Sequence, residues 1–176
     1  MTPRADPVAP VLLFGWGNPS RGDDALGPMF IEQLLERLGA LPGATPLVGV
    51  ECLTDFQLQV EHALDLAGRQ RVLFVDASLN CTAPFEVSTL QAASDASFTT
   101  HAMSPGAVMQ VFRQLDGHEP PPCTLLAIRG ERFGLGEPPS AAALSNLALA
   151  VAWCRRWLVS DASLDPLAIS TGADHA

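Results

Sequence analysis

A chain of 176 residues has room for one domain and little beyond it. Hydrophobic residues make up 48% and charged residues only 16%, against about 25% charged in an average globular domain, which excludes a disordered or low-complexity chain. Ten Lys+Arg stand against nineteen Asp+Glu, a formal charge of −9; a field of that sign repels phosphate backbones and anionic lipid and disfavours nucleic-acid and membrane-surface roles.

The first ten residues carry Arg4 and Asp6, and the apolar run that follows, Val11 to Trp16, is too short for a secretory core segment. Val11-Leu12-Leu13-Phe14 predicts a strand buried on both faces, feeding the glycine-rich loop Gly15-Trp16-Gly17-Asn18-Pro19. Met29, Phe30, Leu34, Leu35 and Leu38 fall on one helical face behind Pro28, which suits a first turn. Thr45 to Val50 predicts a second strand and Asp55 to Ala67 a second helix. Arg71 to Asp76 is the clearest buried strand, and it ends on an acid.

Phe85 to Leu90 predicts an antiparallel edge strand, because too few residues precede it for a helical crossover. Ser104-Pro105 has the form of an N-cap with Pro at the first helical position, opening a helix to Leu115. Cys123 to Ile128 follows as a buried strand, and Ala141 to Leu158 as a long apolar helix capped by Ser140. The apolar tract Leu144 to Cys154 is interrupted by Ser145 and Asn146 and stops at Arg155-Arg156, well short of the roughly 20 residues that span a bilayer. Alternating strands and helices predict the α/β class, a three-layer sandwich with a mainly parallel twisted sheet flanked by helices. Residues 1–160 are expected to form one domain, and 161–176, rich in Ser, Asp, Ala and Gly, a flexible tail.

Cys52, Cys81, Cys123 and Cys154 lie 29, 42 and 31 residues apart without a CxxC pair, so no zinc ribbon or thioredoxin-type motif is available. Reduced thiols and a cytoplasmic location are expected. No Ser or Cys stands in a convincing nucleophile pattern; Cys52 reads as a small buried hydrophobe.

In an open parallel sheet, ligands bind outside the carboxyl ends of the strands. Three segments are expected there: the loop with Asp23 and Asp24, the strand end at Asp76, and Thr99 to Pro105 with His101 just before a helix. Two carboxylates and an imidazole form an O,O,N set suited to a divalent transition metal such as zinc, nickel, iron or manganese. Taken singly, each has a plainer role: acids favour helix N-termini, Asp forms turns, and a lone His near a cap is commonly structural. His62, His118 and His175 are expected to face solvent. Gly15-x-Gly17 after a strand also matches the opening of a dinucleotide fingerprint, with Glu51 as a ribose-binding acid, but Ser20 takes the third glycine position and two acids in the loop would repel a pyrophosphate.

Gly15-x-Gly17-Asn18-x4-Asp23-Asp24-x2-Gly27, then Val75-Asp76-Ala77, then His101-x-Met103, resemble the hydrogenase maturation endopeptidases, from about Val11 to Leu158. The resemblance implies a twisted sheet sandwiched by helices and a hydrolase, an aspartyl-type endopeptidase. It implies removal of a C-terminal extension from a nickel–iron hydrogenase large-subunit precursor after nickel insertion. Asp24, Asp76 and His101 would be the catalytic and nickel-contacting residues, with nickel arriving on the substrate and no organic cofactor. Asn18 and Asp23 would shape the loop. The sequence departs from the family pattern at Trp16, where an aliphatic residue is expected, at Ala25, and in having Asp24 where some relatives carry Glu. The precursor is the partner implied and a monomer is favoured; a non-cleaving, chaperone-like precursor-binding protein is the competing reading.

Overall fold

Val11–Trp16 forms strand β1 in the computed structural model, which describes residues 7–39, 48–94 and 103–160. Leu13 is buried in one apolar cluster and Leu12 and Phe14 in another, as required of a strand covered on both faces. After β1 come α1 (Leu26–Gly39), β2 (Val50–Asp55), β3 (Arg71–Ser78), β4 (Phe85–Thr89), α2 (Pro105–Asp116), β5 (Cys123–Arg129) and α3 (Ala141–Val159). Two 3-10 turns, Gly22–Ala25 and Val60–Leu66, lie between them.

The sheet has the order β2-β1-β3-β5-β4. β1 pairs parallel with β2 and β3, β3 pairs parallel with β5, and β4 closes the edge antiparallel to β5. Leu26, Phe30 and Leu34 of α1 pack with Leu147, Val151 and Cys154 of α3 on one face. Ala63 and Leu66 of the second 3-10 turn pack with Val108, Met109 and Phe112 of α2 on the other. This is the expected three-layer sandwich. Each fully buried Leu or Phe contributes about 1.5–3 kcal/mol relative to exposure, so the two clusters supply most of the driving force for folding.

The caps are those expected. Ser104 Oγ accepts from Ala107 N–H at 3.1 Å with Pro105 opening α2, and Ser140 Oγ accepts from Ala143 N–H at 3.2 Å. β4 is the antiparallel edge strand. Among the described residues no helix is long and apolar enough to cross a membrane.

Two elements differ from expectation. The second strand runs from Val50 to Asp55 rather than Thr45 to Val50. Residues 45–47 lie outside the described residues, and Val48 and Gly49 form a turn with Gly49 at φ 78°, which ends extended backbone before Val50. The helix expected over Asp55–Ala67 is only the 3-10 turn Val60–Leu66. Asp55 Oδ1 accepts from Phe56 N–H at 2.6 Å and His62 Nδ1 accepts from Gln59 N–H at 2.9 Å. These local bonds hold the connection extended and compete with a longer helix. The tail expected at 161–176 lies outside the described residues.

Candidate active site

The register sets the frame of the site. Trp16 pairs with Asp55 across β1–β2, and Gly15 with Val75 across β1–β3, so Asp76 stands level with Trp16 at the carboxyl edge. Strand alternation turns Asp55, Trp16 and Asp76 to the face that carries Leu53, Phe14 and Phe74. Trp16 packs edge-on against Phe74 at 6.0 Å between ring centres. α2 covers the same face, and Met103, just before it, donates its N–H to Leu58 O at 3.3 Å in the connection after β2. Leu58 itself is fully buried.

Asp24 enters this edge from the loop after β1. Its Oδ2 accepts from Asn18 N–H at 3.0 Å, and its own N–H donates to Arg21 O at 3.1 Å. Gly17, at φ 144°, lets the chain pass so close to Asp24 that a side chain there would collide with the Asp24 carbonyl. The 3-10 turn bearing Asp24 packs against β3. Asp24 and Asp76 therefore face each other electrostatically.

Asp76 accepts one hydrogen bond, from Ala77 N–H to Oδ1 at 2.8 Å. Burial pushes its carboxyl up to about 7, the Ala77 bond opposes this, and the negative charge of Asp24 adds to it. A carboxyl that exchanges its proton near neutrality is suited to receive either a proton or a cation.

Asp23, the neighbour of Asp24 in sequence, has a different fate. It is fully buried. Its Oδ2 accepts from Glu131 N–H at 2.7 Å, Arg132 N–H at 2.9 Å and Ser140 Oγ at 2.8 Å, and its Oδ1 accepts from Ser140 N–H at 2.6 Å. Burial alone would raise its carboxyl, but the hydrogen bonds from Glu131, Arg132 and Ser140 together hold it below the usual 3.8. Asp23 clips the loop carrying Asp24 to the β5–α3 connection through four hydrogen bonds. That is the loop-shaping role expected of it; Asn18 does the same locally, accepting Ser20 N–H at its Oδ1 at 2.9 Å.

His101, the third residue of the predicted set, lies outside the described residues, as does His175. Among the described residues no group of three or more His, Cys, Asp or Glu side chains is placed to hold a metal ion. His118 is exposed, as expected, beside Asp116. His62 is not. Its side chain is only 13% exposed, its ring lies 4.8 Å from Phe14, and its Nε2 donates to Asp55 Oδ2 at 3.2 Å. It stands in the 3-10 turn Val60–Leu66 rather than in the expected helix. The Asp55–His62 pair is thus a feature of the edge that sequence reading missed. Ending β2 at Asp55 instead of Val50 places that acid on the same edge as Asp76, with Trp16 of β1 between them.

Glu51, the residue that a dinucleotide reading needs at a strand end, is the second residue of β2 and is bound to Arg69 Nη2 at 2.5 Å. That ion pair, and its distance from the carboxyl edge, remove the dinucleotide reading. The four cysteines are free. Burial, with Glu51 nearby, pushes the Cys52 thiol up to about 11, and burial pushes Cys123 up to about 12, so both are protonated at neutral pH and poor nucleophiles.

No protein-family model and no curated protein matches the sequence; solved structures do match the architecture. The [NiFe] hydrogenase maturation protease HycI from Thermococcus kodakarensis KOD1 is 21% identical, over 86% of this chain and 94% of that one, with a TM-score of 0.64. The hydrogenase maturating endopeptidase HybD from E. coli is 23% identical, over 84% and 91%, with a TM-score of 0.62. The fold is the hydrogenase maturation protease fold. A third structure of this fold, the hydrogenase 2 maturation peptidase from Thaumarchaeota archaeon SCGC_AB-539-E09, is 21% identical over 86% of this chain and 99% of that one, with a TM-score of 0.56. These likenesses extend over nearly the whole length of each protein, so the maturation protease fold accounts for the sheet and both helical layers.

Proposed function

We propose that this protein is an endopeptidase that removes the C-terminal extension of a nickel–iron hydrogenase large-subunit precursor once nickel is in place. The observation that carries the reading is the facing pair Asp24 and Asp76 at the carboxyl edge of a sheet with the maturation protease fold. Ligands of parallel α/β sheets bind at that edge, and two half-buried carboxylates there make a site for a cation delivered from outside. Nickel is treated as part of the substrate. Asp24, Asp76 and His101 contact it when the loaded precursor docks, so an unloaded precursor is not held productively. A metal held there polarises the scissile carbonyl or acidifies an attacking water, and a carboxylate takes the proton. Cys52, inside β2, and Cys123, at the start of β5, lie away from this edge and hold protonated thiols, so neither supports a thiolate mechanism.

The test is to mix the purified protein with large-subunit precursor, with and without nickel, and to weigh the products by mass spectrometry. Loss of a C-terminal peptide from the loaded precursor alone is expected. Binding of loaded precursor without cleavage would replace this reading with that of a non-cleaving docking protein.

A further inference from the structure

Two arginines flank the Asp24 turn, and it is their backbones, with Arg21 Nε, that take part in the hydrogen bonding that builds it. All ten basic residues of this chain are arginines. Arg21 and Arg132 are both exposed, and they stand on the two loops that Asp23 clips together. Gly22, at φ 55°, is packed on the Arg132–Phe133 peptide so tightly that an added Cβ would collide with the Arg132 carbonyl and lie 3.5 Å from Phe133 Cα. Asp23 N–H donates to Arg132 O at 2.7 Å, Gly22 N–H to Glu137 O at 3.0 Å, and Gly136 N–H to Ser20 O at 2.7 Å. The backbones of the two arginines are therefore fixed side by side.

The Arg21 guanidinium is fixed as well. Its Nε donates to Phe133 O at 3.0 Å, and among the described residues its two terminal nitrogens make no hydrogen bond. Glu131 and Glu137 belong to the same connection, yet the ion pairs among the described residues are His62–Asp55, Arg69–Glu51, Arg113–Glu119 and His118–Asp116. Arg21 and Arg132 are in none of them. On loops that also carry Asp24, Glu131 and Glu137, these are two exposed cations on neighbouring backbone with no ion-pair partner among the described residues, and that of Arg21 is anchored. An anchored guanidinium fork loses little entropy on binding and matches a carboxylate in shape.

We infer that Arg21 and Arg132 form the subsite that receives a carboxylate of the precursor's C-terminal extension, and so help to select which extension is cut. The inference rests on the proposed peptidase reading. Arg21 falls on a position that the Gly15-to-Gly27 motif leaves open, which suits a residue that sets specificity rather than chemistry.

The experiment uses the full-length protein and nickel-loaded precursor. Arg21→Gln and Arg132→Gln are made singly and together, and KM, kcat and the salt dependence of kcat/KM are measured. The double variant should show KM raised about tenfold or more, the loss expected for hydrogen bonds to a charged group. Its kcat should change far less, and its salt dependence should be weaker. Replacing the Asp and Glu side chains of the extension by Asn and Gln should raise the parental KM similarly and abolish the difference between parent and variant. Where only amidation of the terminus does so, the group received is the terminal carboxylate. An unchanged KM in the double variant, or a rise that persists with both kinds of neutralised precursor, would overturn the inference while leaving the peptidase reading intact. Absence of processing by the parental protein would remove both.

Discussion

Asp23 and Asp76 are both carboxylates taken out of water at the same edge of the same sheet, and they have been driven in opposite directions. Asp23 is met by donors from Glu131, Arg132 and Ser140, and its carboxyl is held below 3.8. Asp76 is met by the single N–H of Ala77 and by the charge of Asp24, and its carboxyl is pushed up to about 7. Burial is common to both; the number of donors decides the sign. A carboxylate met by four donors is a structural clip, its charge satisfied by the protein itself. An unsaturated one beside a like charge is poised to take a cation or a proton, and that difference separates scaffold from chemistry at this edge.

The comparison is broken most sharply by removing each acid in turn. Asp76→Asn keeps the shape and the Ala77 bond but loses the charge, and it should lower processing of nickel-loaded precursor by about 10²-fold or more. Asp24→Asn and His101→Ala should do the same, with the melting temperature within a few degrees of the parent. A processing time course beside a thermal melt checks this. Asp23→Ala is expected to act the other way. It leaves the buried N–H and hydroxyl of Ser140 and the part-buried N–H groups of Glu131 and Arg132 without an acceptor, and should cost on the order of 3 kcal/mol in urea denaturation. The stability that Asp23 supplies is present above its unfolded value near 3.8 and is lost as pH falls through its lower folded value.

pH sharpens the contrast. Because the Asp76 carboxyl is raised in the folded state, its proton favours folding below about 3.8, and that advantage is lost as pH rises through about 7. Asp76→Asn should therefore stabilise the protein at pH 8, on the order of 1–3 kcal/mol, with the gain vanishing by pH 4. Parental processing should decline as pH falls below about 7, where Asp76 holds its proton. The smallest effect is expected at His62. His62→Ala removes the acceptor of Gln59 N–H and the donor to Asp55, a cost of about 1 kcal/mol, whereas His62→Gln can serve both partners and should recover most of it; chemical denaturation of the two variants decides.

Much of this edge was legible in the chain itself. The apolar runs at Val11, Arg71 and Cys123, and the caps Ser104 and Ser140, are local signals with local causes, and they located three of the strands and two of the helices. Asp24 and Asp76 were legible because each follows such a strand. The Asp23 clip was less so: its partners lie 108, 109 and 117 residues downstream, and only the folded sheet brings the β5–α3 connection across to it. β2 was misplaced because Val50-Glu51-Cys52-Leu53 alternates weakly, and its start depends on the turn at Gly49. A strand read over Thr45–Val50 leaves Asp55 at the start of the next helix and His62 on its solvent side, whereas the structure ends β2 at Asp55.

The division between clip and poised acid is tested most directly by carbon-13 NMR titration of the aspartate carboxyl groups, with Asp23 and Asp76 assigned through their Asn variants. The account predicts that Asp76 titrates near 7 while Asp23 titrates below the usual 3.8. Titration of both in the ordinary carboxylate range would contradict it, and with it the separation of structural from reactive acids at this edge.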